Sequence, residues 1–113
     1  MTLRKRGEFL AVARDGQRVI TKGLILQATK NMNFSDNNTA RLGFTVSGRT
    51  GNAIVRNRIK RRLREVARQV VPQLAHSGFD YVVIGRKAAL ERPFEGLIKD
   101  IRYAMHNVHP KNL

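Results

Sequence analysis

Arg56-Asn57-Arg58-Ile59-Lys60-Arg61-Arg62-Leu63-Arg64-Glu65-Val66-Ala67-Arg68 is the stretch on which the reading of this chain turns, with seven basic residues and one acid. It lies within the longest periodic segment, about Ala53 to Val71, which the spacing predicts as a helix closed by Pro72. At about 100° per residue, Ile59, Leu63, Val66 and Val70 make one apolar stripe, while Asn57, Lys60, Arg61, Arg64 and Arg68 gather on another side. Arg58 and Arg62 point elsewhere on the wheel. One helix thus packs on a core and presents a cationic face. Like charges at neighbouring i, i+3 and i, i+4 positions cost a few tenths of a kcal/mol per pair, and only Glu65 relieves them. A bound phosphate backbone would remove that cost. Because the sign is nearly uniform and arginine's planar fork suits bidentate phosphate contact, nucleic-acid binding is favoured over a merely solvated face. A membrane-surface helix fits less well, since the apolar stripe lacks aromatics and is needed for the core.

On the N-terminal side of this segment stands Gly48-Arg49-Thr50-Gly51-Asn52, a loop whose glycines could form a nest of backbone N–H groups. No Gly-Lys-Ser/Thr follows, so a nucleotide-binding P-loop is unsupported. Further back, Leu24 to Thr29 and Arg41 to Ser47 read as strands joined by the polar loop Asn31 to Thr39, an expected antiparallel hairpin. Glu8 to Arg14, with Phe9, Val12 and Ala13 at helical spacing and Gly16 as a stop, reads as a short helix. On the C-terminal side, Phe79 to Ile84 between Gly78 and Gly85 fits a largely buried strand. Pro93 can open a last helix in which Phe94, Leu97, Ile98, Ile101, Ala104 and Met105 share a face. The order is helix, strands, helix, strand, helix: a small α/β (α+β) sheet covered by helices.

The chain has 113 residues, 22 Lys+Arg against 8 Asp+Glu and a formal net charge of +14, which calls for a polyanionic partner. Its length and 42% hydrophobic content suit one domain over residues 1–113, with no repeat or linker dividing it. With no cysteine, disulfides, thiolate zinc sites and Cys nucleophiles are excluded, and a cytoplasmic setting is expected. The run Phe9 to Ala13 is too short for a secretory signal, and no segment approaches the roughly 18 apolar residues of a membrane span.

Gly51-Asn52-Ala53-Ile54-Val55-Arg56-Asn57-Arg58-Ile59-Lys60-Arg61-Arg62-Leu63-Arg64-Glu65 resembles the signature of the bacterial ribonuclease P protein component, in which an Arg-Asn pair is followed by Lys-Arg and a further Arg on one helix. Leu3 to Gly16, Leu42 to Ser47 and Asp80 to Lys87 extend the resemblance over most of the chain. It implies a four-stranded sheet covered by helices in an α-β-β-β-α-β-α order with a left-handed βαβ crossover, opposite to the general chirality rule. It also implies a subunit that binds a large catalytic RNA, the complex removing the 5′ leader of precursor tRNA by Mg2+-dependent hydrolysis, with the metal ions held mainly by RNA. No membrane and no small-molecule substrate are implied.

By that resemblance, Arg56, Asn57, Lys60, Arg61 and Arg64 lie against the catalytic RNA, with Arg68 extending the face. A cleft between the N-terminal helix and the sheet takes the unpaired leader. Phe9 and Val12 match it, whereas Ala13 stands where the family carries an aromatic; leader affinity would then rest more on charge or on a different side chain such as Gln27 or Phe44. Arg49 resembles a basic position on the leader path, and Gly48 replaces another. Among eight acids and three histidines no catalytic constellation stands out, which suits a chemistry carried by RNA. His106 and His109 could turn to one side, a weak metal signal, and Arg86 and Lys87 add positive field. A structural rRNA-binding protein is the competing reading, followed by a DNA-binding regulator. The latter is disfavoured because a strand and a Gly-rich loop, not a short helix, precede Ala53.

Overall fold

The computed structural model describes residues 16–30 and 40–109. The helix expected over Glu8 to Arg14, with Phe9 and Val12, lies outside them. The described elements are β1 (Gln17–Ile20), β2 (Leu24–Lys30), β3 (Arg41–Val46), α1 (Ala53–Leu74), β4 (Phe79–Gly85) and α2 (Phe94–Asn107). Two 3-10 turns, Gly48–Thr50 and Lys87–Leu90, precede α1 and α2.

β4 explains the sheet. Its burial on both faces requires a neighbour on each side and a cover above and below. The strand order is accordingly β1-β2-β4-β3, with β4 antiparallel to β2 and parallel to β3. The expected hairpin between β2 and β3 is therefore wrong, because β4 lies between them. The hairpin that does form joins β2 to β1, pairing Val19 with Leu26. Its turn closes through Thr21, whose backbone N–H and hydroxyl both donate to the Leu24 carbonyl at 2.8 Å. β3, α1 and β4 form a parallel β-α-β unit, the connection that parallel neighbours require.

Both described helices lie on one face of the sheet. Leu24, Leu26 and Ala28 of β2 and Tyr81 and Val83 of β4 meet Ile59, Leu63, Val66 and Val70 of α1 and Leu97, Ile101, Ala104 and Met105 of α2. The apolar stripes expected for both helices are the buried ones. Each fully buried side chain of this size contributes about 1.5–3 kcal/mol by removal from water. α1 comes down tightly because Gly85 has no side chain: a Cβ there would stand 2.6 Å from Ile59 Cγ2 and 2.9 Å from Val46 Cγ2. Pro72 does not close α1, which runs on to Leu74. Exposed in the last turns, Pro72 forfeits only its own bond to the Arg68 carbonyl, and Ala75 N–H caps the end on Val71.

Two buried ion pairs fasten the sheet and its loops. Arg41 grips Asp80 through Nε (2.8 Å) and Nη2 (2.6 Å), joining β3 to β4. Arg92 grips Asp100 at 2.7 and 3.0 Å, and the same carboxylate accepts the Gly23 N–H at 3.0 Å. That second set ties the β1–β2 turn to α2. An acid within a buried run, as in Phe79-Asp80-Tyr81, demands such a partner.

Candidate nucleic-acid interface

α1 begins with Asn52, whose Oδ1 accepts the Val55 N–H at 2.9 Å. No acid lies in the first turn, so the positive end of the helix has no anionic side chain beside it. Gly51 is needed for close approach, since a Cβ there would meet Val55 Cγ1 at 2.9 Å. Arg56 turns back over this loop, with Nη1 3.4 Å from the Gly51 carbonyl and 3.3 Å from where a Cβ on Gly48 would stand. A bulky basic residue at position 48 would thus crowd Arg56. Arg49 is exposed in the 3-10 turn, its backbone N–H held by Ser47 Oγ.

Around its axis α1 faces three ways. The apolar stripe meets the sheet. On the flank toward α2, Arg62 donates Nη1 to the carbonyls of Ala89 (2.7 Å) and Leu90 (2.9 Å) and Nη2 to that of Arg92 (2.6 Å). It holds the turn before α2, a structural task that explains why the wheel sets it apart. On the remaining flank stand Asn57, Lys60, Arg61, Arg64 and Arg68, all exposed except the half-buried Lys60. The structure therefore brings the expected set onto one face, with Arg56 at its N-terminal margin. Arg58 is exposed too.

Within this face Glu65 engages Arg68 at 3.4 Å, a solvent-exposed pair that contributes little. Among the described residues, Lys60, Arg61 and Arg64 have no carboxylate partner. Arg64 instead lies over the ring of Phe44, its Cζ 5.8 Å from the centroid. Cations spaced along one helix face and left without acids are arranged to track a line of anions, and phosphates supply such a line.

Two of the residues expected on the leader path, Gln27 and Phe44, do not share a surface. In the strand register Phe44 pairs with Val83, on the helix-bearing face, whereas Gln27 pairs with Val82, on the opposite face. Gln27 is buried there beside Val82 and the Arg41–Asp80 pair. Phe44 sits under α1. Gln27 and Phe44 thus cannot line one cleft. Phe9 and Val12 lie outside the described residues.

Residue pattern missed a small aromatic cluster at the far end of α1. His109 stacks on His76, ring centroids 3.5 Å apart, and its Nε2 bonds the Tyr81 hydroxyl, which accepts the His76 N–H at 2.8 Å. Burial pushes Tyr81 up to about 12. Burial first, then the charge of His76, pushes His109 down to about 4. His109 is thus committed to His76, not to a metal pair with the exposed His106. Among the described residues no group of three or more His, Cys, Asp or Glu could hold a metal ion. No described helix is long and apolar enough to cross a membrane.

A four-stranded sheet with helices on one face, one of them carrying a flank of cations bridged among the described residues by a single weak carboxylate contact, defines a small basic α/β domain of the nucleic-acid-binding kind. The Ribonuclease P family profile matches residues 1–109. Relatives named ribonuclease P protein component include those of Paramagnetospirillum magneticum, 47% identical over 94% of this chain and 80% of its own length. That of Ruegeria pomeroyi is 45% identical over 95% and 85%. The solved ribonuclease P protein of Thermotoga maritima superimposes with a TM-score of 0.79 at 26% identity, covering 97% of this chain and 99% of the other. That of Staphylococcus aureus, at 24% identity and a TM-score of 0.73 over 96% and 97%, shares the fold. The chain belongs to the ribonuclease P protein family, so it is a component of a ribonucleoprotein endoribonuclease of tRNA 5′-end maturation.

Proposed function

We propose that the chain, as one domain, binds the catalytic RNA through α1 and helps it hold the 5′ leader of precursor tRNA, in the cytoplasm. The observation that carries this reading is the flank of Asn57, Lys60, Arg61, Arg64 and Arg68, cationic but for Asn57, where the one carboxylate bridge is the weak Glu65–Arg68 contact. Arginine and lysine neutralise phosphate, and the Asn57 amide bonds sugar or base edges. The leader passes over the face of the sheet opposite the helices, where Gln27 lies, with Phe9 and Val12 contributing and Arg49 adding charge from the loop before α1. The catalytic step belongs to RNA and to Mg2+ held mainly by RNA. This chain supplies no general base to it; it neutralises, orients and excludes competing geometries.

The test is reconstitution. The protein alone should leave precursor tRNA uncut. Added to the ribonuclease P RNA, it should lower the Mg2+ requirement and improve binding of precursor over mature tRNA. Absence of any effect on the RNA's cleavage would overturn the proposal.

A further inference from the structure

Phe44 was expected on the leader path, yet the structure sets it under the RNA-binding helix. Its ring projects from β3 on the helix-bearing face, paired in register with the buried Val83. The Arg64 guanidinium lies over that ring at 5.8 Å. Lys60, Arg61 and Arg68 make no comparable ring contact among the described residues. Resting on the reading of α1 as the catalytic-RNA face, we propose that Phe44 is a positioning residue for Arg64: it fixes the guanidinium for a phosphate of the catalytic RNA.

The physical case lies in what a ring can hold and what it leaves free. An exposed arginine carries large rotamer entropy, lost on binding unless the side chain is already placed. An acid could place it, but would occupy its N–H donors and cancel its charge, as Glu65 does in part to Arg68. An aromatic face attracts the guanidinium through the ring's quadrupole and leaves every in-plane N–H and the full charge available. Arg64 also lies midway along the face, one turn from both Lys60 and Arg68. It is the cation whose direction best sets the register of a phosphate backbone along α1. Gln27, on the other side of the sheet, has no part in this contact.

Five variants, assayed for affinity to the ribonuclease P RNA and for precursor over mature tRNA preference, test it. Phe44→Leu keeps apolar bulk and removes the quadrupole; it should weaken RNA binding about two- to fivefold. Phe44→Tyr should retain it. Arg64→Lys keeps the charge but replaces the guanidinium over the ring, and should fall to the level of Phe44→Leu without disturbing the strand. In an Arg64→Ala background, Phe44→Leu should have no further effect. Undiminished RNA binding by both Phe44→Leu and Arg64→Lys would overturn the proposal, as would equal losses from Phe44→Leu with and without Arg64. A loss confined to leader-bearing substrate would overturn it by returning Phe44 to the leader path. If Arg64→Ala itself leaves RNA affinity and its salt dependence intact, the RNA face is what fails, an outcome distinct from the others.

Discussion

Arg62 and Arg64 stand two residues apart on the same helix and work in opposite ways. Arg62 spends its guanidinium on three carbonyls of the turn before α2. Arg64 leans on a ring and keeps its donors free. Residue type and neighbouring sequence are nearly the same; the angle around the helix axis decides. One flank of α1 is closed by its own protein, and the other is left for a partner of opposite charge. A basic segment in a sequence therefore sums two populations, cations held by the protein's own backbone and cations left open to solvent.

The closed side should answer in stability. Asp100→Ala leaves Arg92 buried without its carboxylate and removes the acceptor of the Gly23 N–H, so a loss of about 3–5 kcal/mol is expected in chemical denaturation. Arg62→Ala strands the carbonyls of Ala89, Leu90 and Arg92. A loss of about 2–3 kcal/mol should follow, with RNA affinity per folded molecule and its salt dependence unchanged. A wild-type melting curve for Arg62→Ala would erase the distinction between the two flanks. The open side should answer in binding. Arg61→Ala with Arg64→Ala should leave unfolding within about 0.5 kcal/mol of wild type. RNA affinity should fall, and the slope of log affinity against log salt should flatten by about 0.7–0.9 per lost phosphate contact. An unchanged slope would put the RNA elsewhere.

The smallest effect concerns a third cationic possibility, the histidine pair. The His109 ring is favoured neutral in the fold, down at about 4, while the unfolded chain takes up a proton near 6.5. The stabilisation it gives is complete above about pH 6.5 and is lost as pH falls toward 4. The neighbouring His76, stacked on it, and His106 act in the same direction on His109. The melting temperature should drop by a few degrees between pH 7 and pH 4.5, and His109→Gln should flatten that dependence.

The two described helices were legible in the sequence because their stripes repeat at helical spacing, and β4 because a β-rich run, apolar but for Asp80, has no solvent side. The pairing of strands was not. Leu24 to Thr29 and Arg41 to Ser47 look like hairpin partners when only the loop between them is weighed. What separates them is the demand of β4 for two neighbours, a requirement set by a segment more than thirty residues further on. β1 escaped residue-level reading because Gln17-Arg18-Val19-Ile20 is an edge strand of four largely exposed residues, with no alternation to detect. The cationic face was readable in direction, since the wheel fixes angles. The partners were not, since the wheel says nothing of Phe44 beneath Arg64 or of the carbonyls beside Arg62. Asp80 carried a signal that residue pattern could have used: an acid amid buried residues implies a buried cation, and Arg41 begins the strand alongside.

Gly85 has a consequence for distance. A side chain at position 85 would meet Ile59, Val46 and Leu63, so its absence lets α1 settle close onto the sheet. Arg64 stands on the outer side of that sandwich and Gln27 beneath its floor. The glycine acts as a shim of minimum thickness, so on the proposed reading the molecule is a gauge that keeps the two RNA contacts one helix and one sheet apart. An alanine at 85 would raise the helix and its cations while leaving the floor in place, resetting the gauge without touching either contact.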